Sequence, residues 1–133
     1  MPSTVIVSGA YQGMWWNFPA ESESGWGVNF NHQDDTIFAT WFTFGLDGKP
    51  LWLVAAANRT APGTYTGELY TGTGPPFNAV PFDPRKVVPR QAGTVTITFL
   101  AGNNATFAYT LNGIAQAKQI TRQVFATQGT ACQ

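Results

Sequence analysis

Apolar and polar side chains alternate every second residue along much of the chain. Between residues 25 and 33, Trp26, Val28, Phe30 and His32 share one face while Gly27, Asn29 and Asn31 share the other, which is the period of a half-buried strand. Asp34-Asp35 reads as a tight turn into a strand over 36–44, and residues 46–50 turn again into a strand over 51–56. Both of these strands are apolar on both faces, which predicts that one face meets a core and the other a partner subunit, a loop or a ligand. Further strands are expected near 64–71 and 93–100. The clearest hairpin is 105–111, Asn112-Gly113, then 114–125, because Asn-Gly suits a two-residue turn that needs positive φ at both positions.

No stretch reads as a helix. Residues 72–92, with Gly74-Pro75-Pro76-Phe77 and Phe82-Asp83-Pro84, are too proline-rich for a central strand and long for a plain connector. They read as an ordered crossover or lid with a short edge strand near 86–90. Seven or eight short antiparallel strands in meander order predict an all-β domain closed into a small barrel, with a sandwich as second choice. The whole chain, 1–133, is expected to be one such domain, with 1–12 as an N-terminal segment.

Composition narrows the function classes. Hydrophobic residues make up 44% and charged residues 11% of 133 residues, which excludes a highly charged disordered chain. Five Trp, four Tyr and ten Phe suit pleated, half-buried strands, and 14 Gly with 9 Pro supply turn chemistry. No apolar run approaches the roughly 18 residues of a spanning helix, so no membrane insertion is expected. Lys plus Arg and Asp plus Glu balance at 7 each, which argues against a nucleic-acid partner. Cys132 is the single cysteine, so neither an intrachain disulfide nor a Cys-ligated metal site is expected, and no signal peptide is read at the N-terminus.

The candidate chemistry gathers in 15–26. Trp15, Trp16, Asn17, Glu21, Glu23 and Trp26 combine flat apolar rings with amide and carboxylate groups, as a platform for a glycan or aromatic ligand requires. The same tryptophans could instead plug one end of a barrel. Glu21 and Glu23 suggest a general acid and base, since neighbouring carboxylates push their pKa values apart; solvated or backbone-bonded loop carboxylates are the plainer alternative. His32, the one histidine, lacks the partner ligands of a metal site and is read as structural or exposed. Gly72-Thr73-Gly74 runs into Pro75-Pro76 and cannot cradle phosphate with amide donors. Arg122 on a half-buried strand should have a carboxylate partner, Glu23 or Glu68, or else contact an anion in the cavity.

Residues 15–27 (Trp-Trp-Asn-Phe-Pro-Ala-Glu-Ser-Glu-Ser-Gly-Trp-Gly), with Trp41-Phe42-Thr43-Phe44, Gly48-Lys49-Pro50-Leu51-Trp52-Leu53 and Ile120-Thr121-Arg122-Gln123-Val124-Phe125, resemble a family of small β-domains from exported proteobacterial proteins. That family opens on Trp-Trp-Asn-Pro-x-Glu-Ser-Gly-x-Gly. The likeness spans about residues 13–125, and the chain departs from it at Phe18 and in a doubled Glu-Ser, so either Glu21 or Glu23 could be the motif's glutamate. It implies a β-domain that is periplasmic or secreted, and names no reaction. A likeness of architecture to avidin-type barrels rests on the Trp-x-Asn-like element alone.

The expected function is a ligand-binding β-barrel module of an exported bacterial protein, taking a small cyclic or glycan-like ligand without cofactor or metal. Trp15, Trp16, Asn17, Trp26, Asn29, Trp41, Trp52 and Arg122 are its candidate contacts. One alternative is a small metal-independent hydrolase using Glu21 or Glu23. Another is a structural module whose two-faced strands near Phe38 and Trp52 bury against a second copy as a homo-oligomer.

Overall fold

The computed structural model describes residues 10–126, and within them eight antiparallel strands close into a barrel in chain order. They are β1 (Gly13–Asn17), β2 (Gly27–Gln33), β3 (Thr36–Phe44), β4 (Pro50–Ala61), β5 (Thr64–Thr73), β6 (Val88–Phe99), β7 (Asn104–Leu111) and β8 (Ile114–Arg122), with a 3₁₀ turn at Pro84–Lys86. The sheet closes where β1 pairs with β8 through Trp15↔Arg122, Trp16↔Thr121 and Asn17↔Ile120. Closure leaves no row of backbone donors and acceptors unpaired at a sheet edge, which is why a meander of this length adopts it.

The two-residue period sorts the side chains. Trp15, Val28, Phe30, Ile37, Trp41, Leu53, Leu69, Val95, Ile97, Phe107 and Ile120 point inward and are buried, while the residues between them face out. Small inward residues, Ala39, Ala55, Ala57 and Ala105, make room for the rings opposite them. At Gly67 a side chain is excluded altogether, because a Cβ there would lie 2.6 Å from the Ala56 carbonyl oxygen of β4.

Strand direction also sorts the loops: 18–26, 45–49, 74–87 and 112–113 lie at one end, and the turns at 34–35, 62–63 and 100–103 at the other, with the chain before β1. That second end is sealed by aromatic stacking. Tyr11 lies flat on Phe99 at 3.7 Å between centroids and stacks on His32 at 5.3 Å, while Tyr65 meets both Phe99 and His32 edge-on. His32 is buried, with Nε2 at 2.9 Å from the Asp34 carbonyl and 3.2 Å from the Tyr65 hydroxyl.

Several expected boundaries move. The first strand is β1, inside the segment read as an opening loop; Gly13-Met14-Trp15-Trp16-Asn17 has no polar alternation to announce it. β2 starts at Gly27, two residues after the expected start, and β8 ends at Arg122, leaving Val124 and Phe125 exposed beyond it. β4 runs on to Ala61, because its backbone keeps pairing with β5 past the end of the apolar run. The Pro-rich segment read as 72–92 shrinks to 74–87, since β5 reaches Thr73 and β6 begins at Val88. It crosses nothing, because it joins strands that are neighbours in the sheet. Residues 1–9 of the N-terminal segment and Cys132 lie outside the described residues.

Candidate functional site

The barrel is filled at its sealed end and hollow at the other. A concavity of about 350 Å³ opens there, floored by Trp41 and walled by Trp26, Leu51, Tyr109, Leu111 and residues Phe44 to Leu46, where β3 runs into the next turn. The polar residues Glu23, Gln116 and Lys118 line the same space, with Thr43 and Asn112 also at its border. A mostly apolar cleft of this size with a few convergent polar groups is the usual form of a small-molecule site. A larger concavity of about 470 Å³ is an open trough on the outer wall, lined chiefly by Thr and Ala, and encloses nothing.

Each wall follows from its strand. Tyr109 and Leu111 are inward positions of β7, and the tight turn after them, with φ of 49° at Asn112 and 84° at Gly113, sends β8 straight back. The resulting register pairs Lys118 with Phe107 and Gln116 with Tyr109, which puts both polar side chains on the inner face. Trp41 comes from the inner face of β3, one residue before the outward Phe42. Trp26 ends the loop that leads into β2.

The aromatic packing is continuous from mouth to core. Trp26 lies nearly parallel to Phe107 at 6.3 Å, Trp41 meets Phe107 edge-on at 5.1 Å, and Trp41 tilts against Tyr109 at 4.5 Å. The Tyr109 hydroxyl donates to Gln116 Oε1 at 2.6 Å. Burial, the largest influence on it, raises the Tyr109 pKa above the ordinary phenol value, so this hydroxyl stays a donor at neutral pH.

Glu23 is the electrostatic centre. Its Oε1 accepts from Lys118 Nζ at 2.9 Å and from the Trp26 indole Nε1 at 2.8 Å, and the Lys118 ammonium sits 5.6 Å from the Trp26 ring centroid. The Lys118 hydrogen bond, then that of Trp26, holds the Glu23 carboxyl below its ordinary pKa. The carboxylate is therefore ionised at neutral pH, and it fastens the loop 18–26 to β8 across the rim. Both bonds end on Oε1, and among the described residues no side chain donates to Oε2.

The structure divides the sequence candidates into groups. Trp26, Trp41 and Glu23 stand at the mouth. Trp15 is fully buried in the core, with its indole donating to the Tyr11 carbonyl at 3.1 Å. Trp16, Asn29 and Trp52 are outward positions; Asn29 accepts from Asn31 at 3.2 Å, and Trp52 is 58% exposed on the outer wall. Asn17 braces the loop by donating to Ser22 Oγ at 2.9 Å. Glu21 is exposed, with φ of 69°, and its backbone carbonyl accepts from Ser24. It does not line the mouth.

Arg122 differs most from expectation. Its partner is neither Glu23 nor Glu68: the guanidinium lies at the sealed end, donates to the backbone carbonyls of Ala10 (2.8 Å) and Gln12 and to Asn103 Oδ1 (3.1 Å), and covers the Trp15 ring at 4.7 Å. Carbonyl dipoles and an indole face thus replace the expected carboxylate.

Sequence reasoning missed Tyr109, Gln116 and Lys118. The signal was present, because the two-residue Asn112-Gly113 turn fixes which β8 residues face inward. Among the described residues no three His, Cys, Asp or Glu side chains gather to hold a metal, and no helix is long and apolar enough to cross a membrane. No family model, curated protein or solved structure matches the chain.

Proposed function

We propose that this chain is a binding module that receives one small ring-bearing ligand at the barrel mouth, between Trp26, Trp41 and Tyr109. The observation that carries the reading is a single-ended, aromatic-walled cleft of about 350 Å³ in a barrel otherwise filled by its own side chains. Flat apolar walls favour a cyclic ligand, and the polar groups on one side would orient it: Lys118 and Gln116 as donors, Glu23 as acceptor for a hydroxyl. A monosaccharide with one apolar face and an aromatic metabolite with a polar edge both fit that chemistry. The likeness of the opening motif to exported bacterial domains supports a place outside the cytoplasm.

Thermal shift and tryptophan emission of the wild type against a panel of sugars and aromatic metabolites test the reading. A ligand at 100 times its dissociation constant should stabilise the fold by about 2.7 kcal/mol and quench or shift the emission. Trp26→Ala should weaken the same ligand at least tenfold, while Trp52→Ala on the outer wall should leave it unchanged. Binding that survives Trp26→Ala and is lost in Trp52→Ala would overturn the mouth as the site.

A further inference from the structure

We propose that the outer wall formed by β2, β3 and β4 is a self-association surface, on which a second copy of this chain docks about a two-fold axis. The inference is independent of what the mouth binds.

The wall is apolar on its solvent face, and of its rings only Phe44 also borders the cleft. Phe38, Phe42 and Phe44 of β3 are 45%, 47% and 53% exposed, and Trp52 of β4 is 58% exposed. Register brings them together: Phe42 lies opposite Trp52, Phe38 opposite Ala56, and Thr40 opposite Val54, so the rings frame a patch of small, uncharged side chains. Aromatic side chains about half exposed leave roughly 75–125 Å² each, and with Val54 and Thr40 the patch presents about 500 Å² of largely apolar surface. That is near the upper limit for the largest patch on a soluble monomer, about 300–600 Å². It also matches a dimer: homodimer interfaces are about 65% apolar and stable ones bury about 800 Å² on each partner, so an apolar centre near 500 Å² is the expected size.

Charge argues for a second copy in particular. Every outward position of β2, β3 and β4 from Asn29 to Asn58 is uncharged, through Asn31, Gln33, the rings of β3 and Ala56. A two-fold interface sets a patch against its own image, so a patch of one sign would repel itself, whereas an uncharged one does not. The ends of the patch carry charges of both signs. Asp47 and Lys49 stand at one end, and Asp34, Asp35 and Arg59 at the other, with Arg59 3.7 Å from Asp35, so each end holds a cation beside its carboxylates and neither two-fold arrangement confronts like charges alone. The asparagines of β2 supply a polar rim able to hydrogen-bond across the contact.

Sedimentation equilibrium of the full chain tests the surface. The wild type should dimerise with a dissociation constant in the range of about 1–10 μM, near −7 to −8 kcal/mol. Trp52→Glu and Phe42→Glu, both on the outer wall and neither lining the mouth, should weaken association at least 100-fold and leave the circular dichroism unchanged. A wild type that stays monomeric at about 100 μM overturns the proposal without recourse to any variant. So does a dimer whose strength neither glutamate alters, since its contact would then lie elsewhere.

Discussion

Glu23 carries two donors on one oxygen at the rim of the cleft, and the pH dependence of that contact follows from its lowered pKa. The latch between the loop 18–26 and β8 is complete above the ordinary carboxylate value of 4.5 and is lost as pH falls through the lower folded value. Because the pair is partly exposed, its share of global stability is small, about 0–1 kcal/mol, and the readout is local. Emission of Trp26, released from its carboxylate, should change below pH 4.5 in the wild type and lose that transition in Glu23→Gln. An identical acid transition in the variant would assign it to another group. Deeper in the same wall, Phe107 is fully buried and touches Trp26, Trp41 and Tyr109. Phe107→Ala should cost about 3–5 kcal/mol in denaturant unfolding, because it removes a ring and leaves a cavity beneath the site.

At the scale of elements, the β7–β8 hairpin matters most to the cleft, since its register alone turns Gln116 and Lys118 inward. Gly113 has φ of 84° and nothing within 4 Å of where a Cβ would stand, so a side chain there meets backbone strain and no clash. Gly113→Ala should therefore lower stability by about 1 kcal/mol through the turn conformation alone, shifting the urea midpoint with an unchanged slope. This hairpin was readable from its sequence because the turn residues name their own geometry. β2 was readable from its alternation, and β3 from a run of β-branched and aromatic residues between two turn signals. β1 was not: five residues with two adjacent indoles carry no period, and pairing with β8, about a hundred residues away, decides that they form a strand. The same period explains why the tryptophans do not form one cluster. Adjacent Trp15 and Trp16 must face opposite sides of a strand. Trp41 and Trp52 separate because the turn at 45–49 sets Trp41 opposite Leu53 and Phe42 opposite Trp52. The length of that turn was legible, but the pairing it produces was not.

Over the whole molecule, one end of the barrel is built for stability and the other for access, and Arg122 shows how the two are kept apart. It belongs to β8, beside the seam with β1, and it gathers the carbonyls of Ala10 and Gln12 and the Asn103 amide over the face of Trp15. These bonds tie the chain before β1 to the last strand and to the β6–β7 turn, so they hold the seam shut and keep Tyr11 seated on Phe99. A lysine in its place would keep the charge but could not serve three acceptors in a planar fork. Arg122→Lys should accordingly cost about 1 kcal/mol and Arg122→Ala about 1–2 kcal/mol in chemical denaturation, as expected for the loss of charge-assisted hydrogen bonds to solvent-accessible acceptors. Because the guanidinium stands at the opposite end from the cleft, neither variant should change affinity for a mouth ligand under conditions where the barrel remains folded. A large loss of affinity at full folding would show that the sealed end and the mouth act as one unit. Unchanged stability in Arg122→Ala would show that the seam is held by strand pairing alone.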